Sequence, residues 1–368
     1  PACPDVETHC HVTGDLRSAK CGVRRPAHNV AARRYNCMLY RAVGALTKRK
    51  HIVTPRIRLV LSLLVVLFGT FGSAGAADDS VRVIVDADTA NEIDDVYAIV
   101  RALVAPEFRV EGLTSAHFTR STKPNDTVHR SQVINEQILD AMGLRDSMPH
   151  PVGADRSMTA PTKPVDSPAA RLIIERAHAG GPDDKLVVFA LGACTNLASA
   201  LVLDPSIEPK VVFAFIDGDY KNGRWGPGIF NWKNDIHAVK AIFESNVEYI
   251  HMPARSVSVE MELSKKDVDM HMKGRGGVWD LMVNRWETFP RTAKSQKKTM
   301  WDVALIEAVL RPKLATPVVV GAPIIHNAGK VEQFPDNPRR VKVFEAIDAQ
   351  GMQNDFWEAM DAAIQKTK

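Results

Sequence analysis

The stretch Asp86-Ala-Asp88-Thr-Ala-Asn91-Glu92-Ile-Asp94-Asp95 places five carboxylates within ten residues. Acids this close repel one another unless protons or a cation stand between them. An all-oxygen donor set selects a hard ion, Ca²⁺ or Mg²⁺. One or two acids would suit the positive end of a following helix, but five exceed that need. A calcium loop between two helices requires glycine at its sixth position. Here Asn91 stands sixth, and the β-branched run Val81-Arg-Val-Ile-Val85 precedes. Three later segments also carry side chains fit for binding: Thr195-Asn196, Asn231-Trp232-Lys-Asn-Asp235 and Trp301-Asp302. Asn196, Asp235 and Asp302 read equally well as helix N-caps.

Elements must bring these residues together. Residues 81–85, 108–115, 186–191 and 210–216 are β-branched or continuously apolar runs that predict strands. Residues 94–104, 128–143, 166–179, 196–203, 235–245 and 301–310 predict helices. Strands alternating with helices, several of them apolar throughout, predict an open, largely parallel, doubly wound α/β sheet of Rossmann-like type, as one large domain. Ligands of such sheets bind beyond the carboxyl ends of the strands. The loops after residues 85, 115, 191 and 216 are therefore where function is expected.

In order along the chain, the motifs resemble those of the nucleoside hydrolases. Asp86, Asp88, Asp94 and Asp95 are similar to that family's D-x-D followed by Asp-Asp at a helix start, with a gap two residues longer than in the best-known members. Pro151-Val-Gly-Ala-Asp155 resembles its P-V-x-x-G-A-D connection, and Gly192-Ala-Cys-Thr195-Asn196 its G-x-x-T-N segment. Phe230-Asn231-Trp-Lys-Asn-Asp235 resembles its E-F-N-x-x-x-D-P stretch, and Trp301-Asp302-Val-Ala its late H-D-P-x-A. The resemblance implies an N-glycosidase acting on nucleosides or related N-ribosides. It implies Ca²⁺ held by Asp88, Asp95, the Thr195 main-chain carbonyl and Asp302. The ion lowers the pKa of a water, and Asp88 stands where the family's general base takes that water's proton. Asp94 and Asn231 would hold ribose hydroxyls, with Asn91 beside them.

The sequence also departs from the family. His117-Phe118 falls where a second-strand Asn is usual, and Ile229 replaces a Glu two residues before Asn231. Trp301 stands where several members carry a His that protonates the leaving base. An indole N–H is a donor only, so Trp301, with Trp225 or Trp232, is expected to stack on a purine or simply to pack. His117 is a leaving-group acid, a substrate contact or a solvated strand-end residue. Two other functions stay open. One is a non-catalytic, calcium-dependent binder of nucleosides or sugars. The other is a Mg²⁺-dependent phosphatase with Asp86 as nucleophile, whose D-x-D-x-[TV] signature fails at Ala90.

Residues 59–71 form an unbroken apolar run, too short to span a bilayer, between Arg56 and Arg58 and the small residues Ser73-Ala-Gly-Ala76. That pattern predicts a signal peptide over 56–76, cleaved after Ala76, rather than an uncleaved anchor. Residues 1–55 read as leader or as upstream sequence translated in error, and 77–368 as the catalytic domain. Of the 47 Lys and Arg, 12 precede residue 77, against 3 of the 43 Asp and Glu. The remainder is 35 minus 40, so the +4 of the whole chain becomes −5 and no basic surface suggests nucleic acid. Cys194 alone of the five cysteines lies beyond the leader, which excludes an internal disulfide in a secreted or periplasmic protein. The expected partner is a small nucleoside or N-riboside in purine salvage, with no membrane after cleavage, and the expected assembly is a homodimer or homotetramer.

Overall fold

The computed structural model describes residues 80–366. The leader and signal-peptide expectations over 1–55 and 56–76 lie outside the described residues. Seven segments build the main sheet: β1 (Val81–Ala87), β2 (Phe108–Ser115), β3 (Leu186–Ala190), β4 (Val211–Asp217), β5 (Glu248–Pro253), β6 (Ala315–Gly321) and β7 (Arg340–Ile347). Their spatial order is β6-β7-β5-β4-β3-β1-β2. All neighbours pair in parallel except β6 with β7. The largely parallel α/β sheet read from the sequence is the one observed, in one large domain.

Strand composition follows from burial on both faces. Val83, Val85 and Ala87 point into one apolar layer, and Ile84 between them into the other. Successive side chains on a strand face opposite ways, so a strand covered on both sides is apolar at every position. The first layer holds α1 (Asp94–Val104), α2 (Thr127–Ala141), α7 (Lys265–Met272), α8 (Gly277–Thr288), α9 (Trp301–Leu310) and α10 (Ala349–Lys366). The second holds α3 (Pro168–Ala179), α4 (Thr195–Leu203), α6 (Ile236–Glu244) and the single turn α5 (Asn231–Asn234). Among the described residues no helix is long and apolar enough to cross a membrane.

The chain leaves β1 toward β2 on one side and returns to β3 on the other. The strand ends of β1 and β3 therefore border the crevice where doubly wound sheets bind ligands. Gly192, just past β3, is required there. A Cβ on it would lie 2.8 Å from the Asp88 Cβ and 2.9 Å from the Ala116 Cβ, closer than carbon atoms approach.

Candidate active site

β1 delivers Asp88 to the crevice, and a turn closed by the Asn91 N–H to the Asp88 carbonyl (2.7 Å) leads into α1. The turn is held from outside. The Thr89 hydroxyl donates to the Ser131 carbonyl of α2 (2.9 Å), and Arg285 of α8 donates to the carbonyls of Thr89 (3.1 Å) and Glu92 (3.4 Å). α1 then opens on Asp94 and Asp95, and α9 opens beside it with Asp302 as its second residue. The Asp302 N–H donates to Asp94 Oδ2 at 3.4 Å.

Asp94, Asp95 and Asp302 each offer a carboxylate oxygen within 4.8 Å of the others, and all three are buried. Asp88 lines the same cleft. Asp88 Oδ2 and Asp95 Oδ1 are buried without a hydrogen-bond donor. Asp94 Oδ1 has only the Lys298 ammonium, 3.9 Å away. Burial first, and then the charges of their acidic neighbours, hold the carboxyls of Asp88, Asp95 and Asp302 well above the usual range. Undonated, mutually repelling oxygens at one point fit a hard cation, which supplies the missing positive charge. The grouping differs from the expected ligand set in one way. Asp94, assigned to the sugar, stands with Asp95 and Asp302 in the group of acids that fits a cation. Thr195 opens α4 as a buried residue, and its side-chain hydroxyl, as distinct from the main-chain carbonyl expected as a ligand, donates to Asp235 Oδ2 at 2.7 Å.

The cleft, about 330 Å³, is lined by Asp88, Asn91, Asp94, Asp95, Asn231, Trp301 and Asp302 among the expected residues. Asn231 Nδ2 donates to the carbonyls of Leu191 (2.7 Å) and Ile216 (3.1 Å), at the ends of β3 and β4. That leaves its Oδ1 as an acceptor for a ligand. Trp301 is half-buried, with the Lys298 ammonium 4.0 Å from its ring centroid.

Four expected residues stand elsewhere. His117 is 1 % exposed, with Nε2 2.9 Å from the Thr195 hydroxyl, and burial pushes its pKa down to about 4. A neutral imidazole off the cleft cannot protonate a leaving base at neutral pH, so the leaving-group reading of His117 is withdrawn. Trp232 is fully buried against Phe243 and His251, with ring centroids at 5.4 and 5.5 Å. Trp225 packs on Tyr220 at 5.1 Å and donates its Nε1–H to the Gly321 carbonyl (3.0 Å). Both tryptophans are core, which corrects their assignment to a base sandwich. The Thr195 side chain is the fourth, tied to His117 and Asp235.

Asp86 and Asn196 act as a structural node. Asp86 Oδ1 accepts from the Thr114 hydroxyl (2.5 Å) and from Asn196 Nδ2 (2.8 Å), and burial raises its pKa to about 6. Asn196 Oδ1 in turn accepts from the Ala154 N–H (2.8 Å) and the Ser167 hydroxyl (2.9 Å). A carboxyl so enclosed, and off the cleft, is no nucleophile, which removes the phosphatase reading.

Asp217, Lys298 and Arg291 were missed in the sequence. Asp217 ends β4 and accepts the N–H groups of Ile229 (3.0 Å), Phe230 (3.2 Å) and Trp232 (2.7 Å), holding the loop that presents Asn231. Its signal was legible, a carboxylate at the end of an apolar strand. Lys298 and Arg291 pair with Glu92 from some 200 residues away, with Lys298 Nζ at 3.2 Å. No local pattern announces such a contact.

The fold and the acid-lined crevice define a doubly wound α/β protein whose buried carboxylates fit a hard cation. The family of inosine-uridine preferring nucleoside hydrolases matches residues 83–354. The chain belongs to that family, whose members are N-ribosyl hydrolases. It is 26 % identical over 191 residues to a probable ribonucleoside hydrolase of Dictyostelium discoideum, an alignment spanning 44 % of this chain and 54 % of that one, about half its length. It is 23 % identical over 258 residues to the pyrimidine-specific ribonucleoside hydrolase RihA of Enterobacter sp. (strain 638), over 64 % of this chain and 81 % of that one. A solved plant nucleoside hydrolase superposes with a TM-score of 0.61 at 21 % identity, covering 76 % of this chain and 99 % of its own.

Proposed function

We propose that the chain hydrolyses the N-glycosidic bond of ribonucleosides, with Ca²⁺ held by Asp88, Asp94, Asp95 and Asp302. The observation that carries this reading is the convergence of buried, undonated carboxylates in one cleft with Asn231 and Trp301. Calcium, when bound, supplies positive charge that acidifies a water. Asp88 lines the cleft with one oxygen free of donors and would accept the proton of a water so acidified. Cleavage passes through an oxocarbenium-like sugar. Asn231 Oδ1 and the acids of α1 accept hydrogen bonds from ribose hydroxyls, which strengthen as positive charge grows on the ring. Trp301 receives the departing base by stacking. That favours purines, unlike the pyrimidine-specific relative named above. Ile229 lines the cleft at the position where the family carries a Glu two residues before the sugar-binding Asn. This supports, as a second reading, a calcium-dependent binder that does not turn over.

Incubation of the protein with Ca²⁺ and a panel of nucleosides, with an assay for free ribose, tests both. Calcium-dependent ribose release is the expected result; saturable binding without release selects the binder. We also propose export to the periplasm or medium, where the reaction would serve purine salvage. The signal-peptide pattern over 56–76 supports that placement.

A further inference from the structure

A buried ion pair lies off the cleft, between the two helices whose first turns carry the cation-binding acids. Arg101 Nε of α1 donates to Glu307 Oε1 of α9 at 2.6 Å, and Arg101 Nη2 donates to Asp355 Oδ2 of α10 at 2.6 Å. The Arg101 and Glu307 side chains are 1 % and 0 % exposed. Stability does not account for such a pair. Taking both charges out of water is costly, and replacing a buried pair by apolar residues of similar volume is often neutral or stabilising.

Its position does account for it. Arg101 follows Asp95 by six residues, and Glu307 follows Asp302 by five. At 1.5 Å per residue the pair lies about 9 Å along α1 and about 7.5 Å along α9 from the acids. Two helices with their N-termini at one point and a cross-link at nearly the same depth run side by side in the same direction. Toward the sheet the pair is flanked by apolar residues, including Ile99, Ala102, Val303 and Ile306, while on its outer side Asp355 also accepts from Arg311 Nε at 2.6 Å. Apolar contact has no direction and resists sliding weakly. A guanidinium–carboxylate pair is directional, and Asp355 braces it from a third helix. Calcium demands several oxygens at 2.3–2.6 Å, so a slide of α9 along α1 would separate Asp302 from Asp94 and Asp95.

We propose that Arg101 and Glu307 are positioning residues that fix the register of α1 against α9, and through it the spacing of the calcium-binding acids. The inference rests on the calcium reading of the cleft. Its test is calcium titration calorimetry on the full chain, alongside the melting temperature measured in chelator. The double variant Arg101→Met with Glu307→Leu should melt, without metal, at or above the wild-type temperature. It should bind Ca²⁺ roughly 10- to 100-fold more weakly, the range for groups that orient metal ligands. Unchanged calcium affinity in the folded double variant, whatever its melting temperature, overturns the proposal. If the double variant does not fold, Arg101→Lys decides. It keeps the charge and loses the planar fork, and wild-type calcium affinity in that variant would equally overturn the proposal. A wild-type protein that binds no Ca²⁺ refutes the reading of the cleft itself and is told apart by that single titration.

Discussion

Asp88 and Asp95 separate a metal centre from an acidic turn. If they bind calcium, Asp88→Ala and Asp95→Ala should each weaken it by at least about 100-fold, because each removes a charged ligand from a small set. Chelation should lower the melting temperature of the wild type, since an ion at 100 times its Kd stabilises by about 2.7 kcal/mol; titration calorimetry and a melting curve read the two effects. Trp301 governs the other half of the cleft. Base–aromatic stacking is worth about 1–3 kcal/mol, so purine nucleosides should exceed pyrimidine ones in kcat/KM by roughly 10- to 100-fold. Trp301→Ala should erase most of that difference and leave calcium affinity intact, because Asp302 remains; equal turnover of inosine and uridine by the wild type would refute stacking. The motif residues of the cleft were legible because each sits at a strand-to-helix junction that local sequence announces. The three tryptophans looked alike in sequence. What divides Trp301 from Trp225 and Trp232 is contact with Phe243, His251 and the Gly321 carbonyl, which only the folded chain brings near.

The loop after β4 is built on one carboxylate. Asp217→Ala would strip acceptors from three backbone N–H groups, at a cost of about 1–3 kcal/mol for each buried group left unpaired. It should also release Asn231 from its place at the cleft, so KM for the nucleoside should rise while calcium affinity holds; unchanged KM would show that Asn231 is held by Leu191 and Ile216 alone. Elements were legible unevenly, for a physical reason. The expected helices over 94–104 and 301–310 and the strand over 108–115 match α1, α9 and β2 residue for residue. β5, β6, β7, α7, α8 and α10 were not read. β6 is an edge strand with Val319 60 % exposed, and β7 alternates buried and exposed positions instead of forming an apolar run. A reading keyed to continuously apolar runs passes over these two strands, and over the buried β5 as well, whose run Glu248-Tyr-Ile-His-Met-Pro253 is broken by a charge, a histidine and a proline.

Across the molecule, buried neutral histidines tie stability to pH. His251 is fully buried, and desolvation depresses its pKa to about 3. Below about 6.5 the unfolded chain binds a proton at this position that the folded chain refuses. Stability is therefore lost as pH falls from about 6.5 toward 3, by roughly 2 kcal/mol between pH 7 and pH 5. His251→Phe should remove that part of the loss, as read from urea unfolding at the two pH values; an identical pH dependence in the variant would show that another group is responsible. A chain beginning at Ala77 should fold and keep its calcium site, because the family match begins at residue 83 and the cleft residues all follow it. Insolubility of that chain beside a soluble full-length protein would refute the domain boundary.

The cleft is made of two kinds of part. Asp88, Asp94, Asp95 and Asp302 sit at the roots of a strand and two packed helices, whereas Arg255, Val259 and Arg291 reach it from connecting segments. Residues on connections can be exchanged with little strain on the core. Selection at Arg255, Val259 and Arg291, rather than at the buried Val257, Ser258 and Thr292 beside them, can therefore alter that side of the cleft while the acidic side is inherited unchanged. A library randomised at those three cleft positions should yield altered substrate profiles at nearly constant calcium affinity.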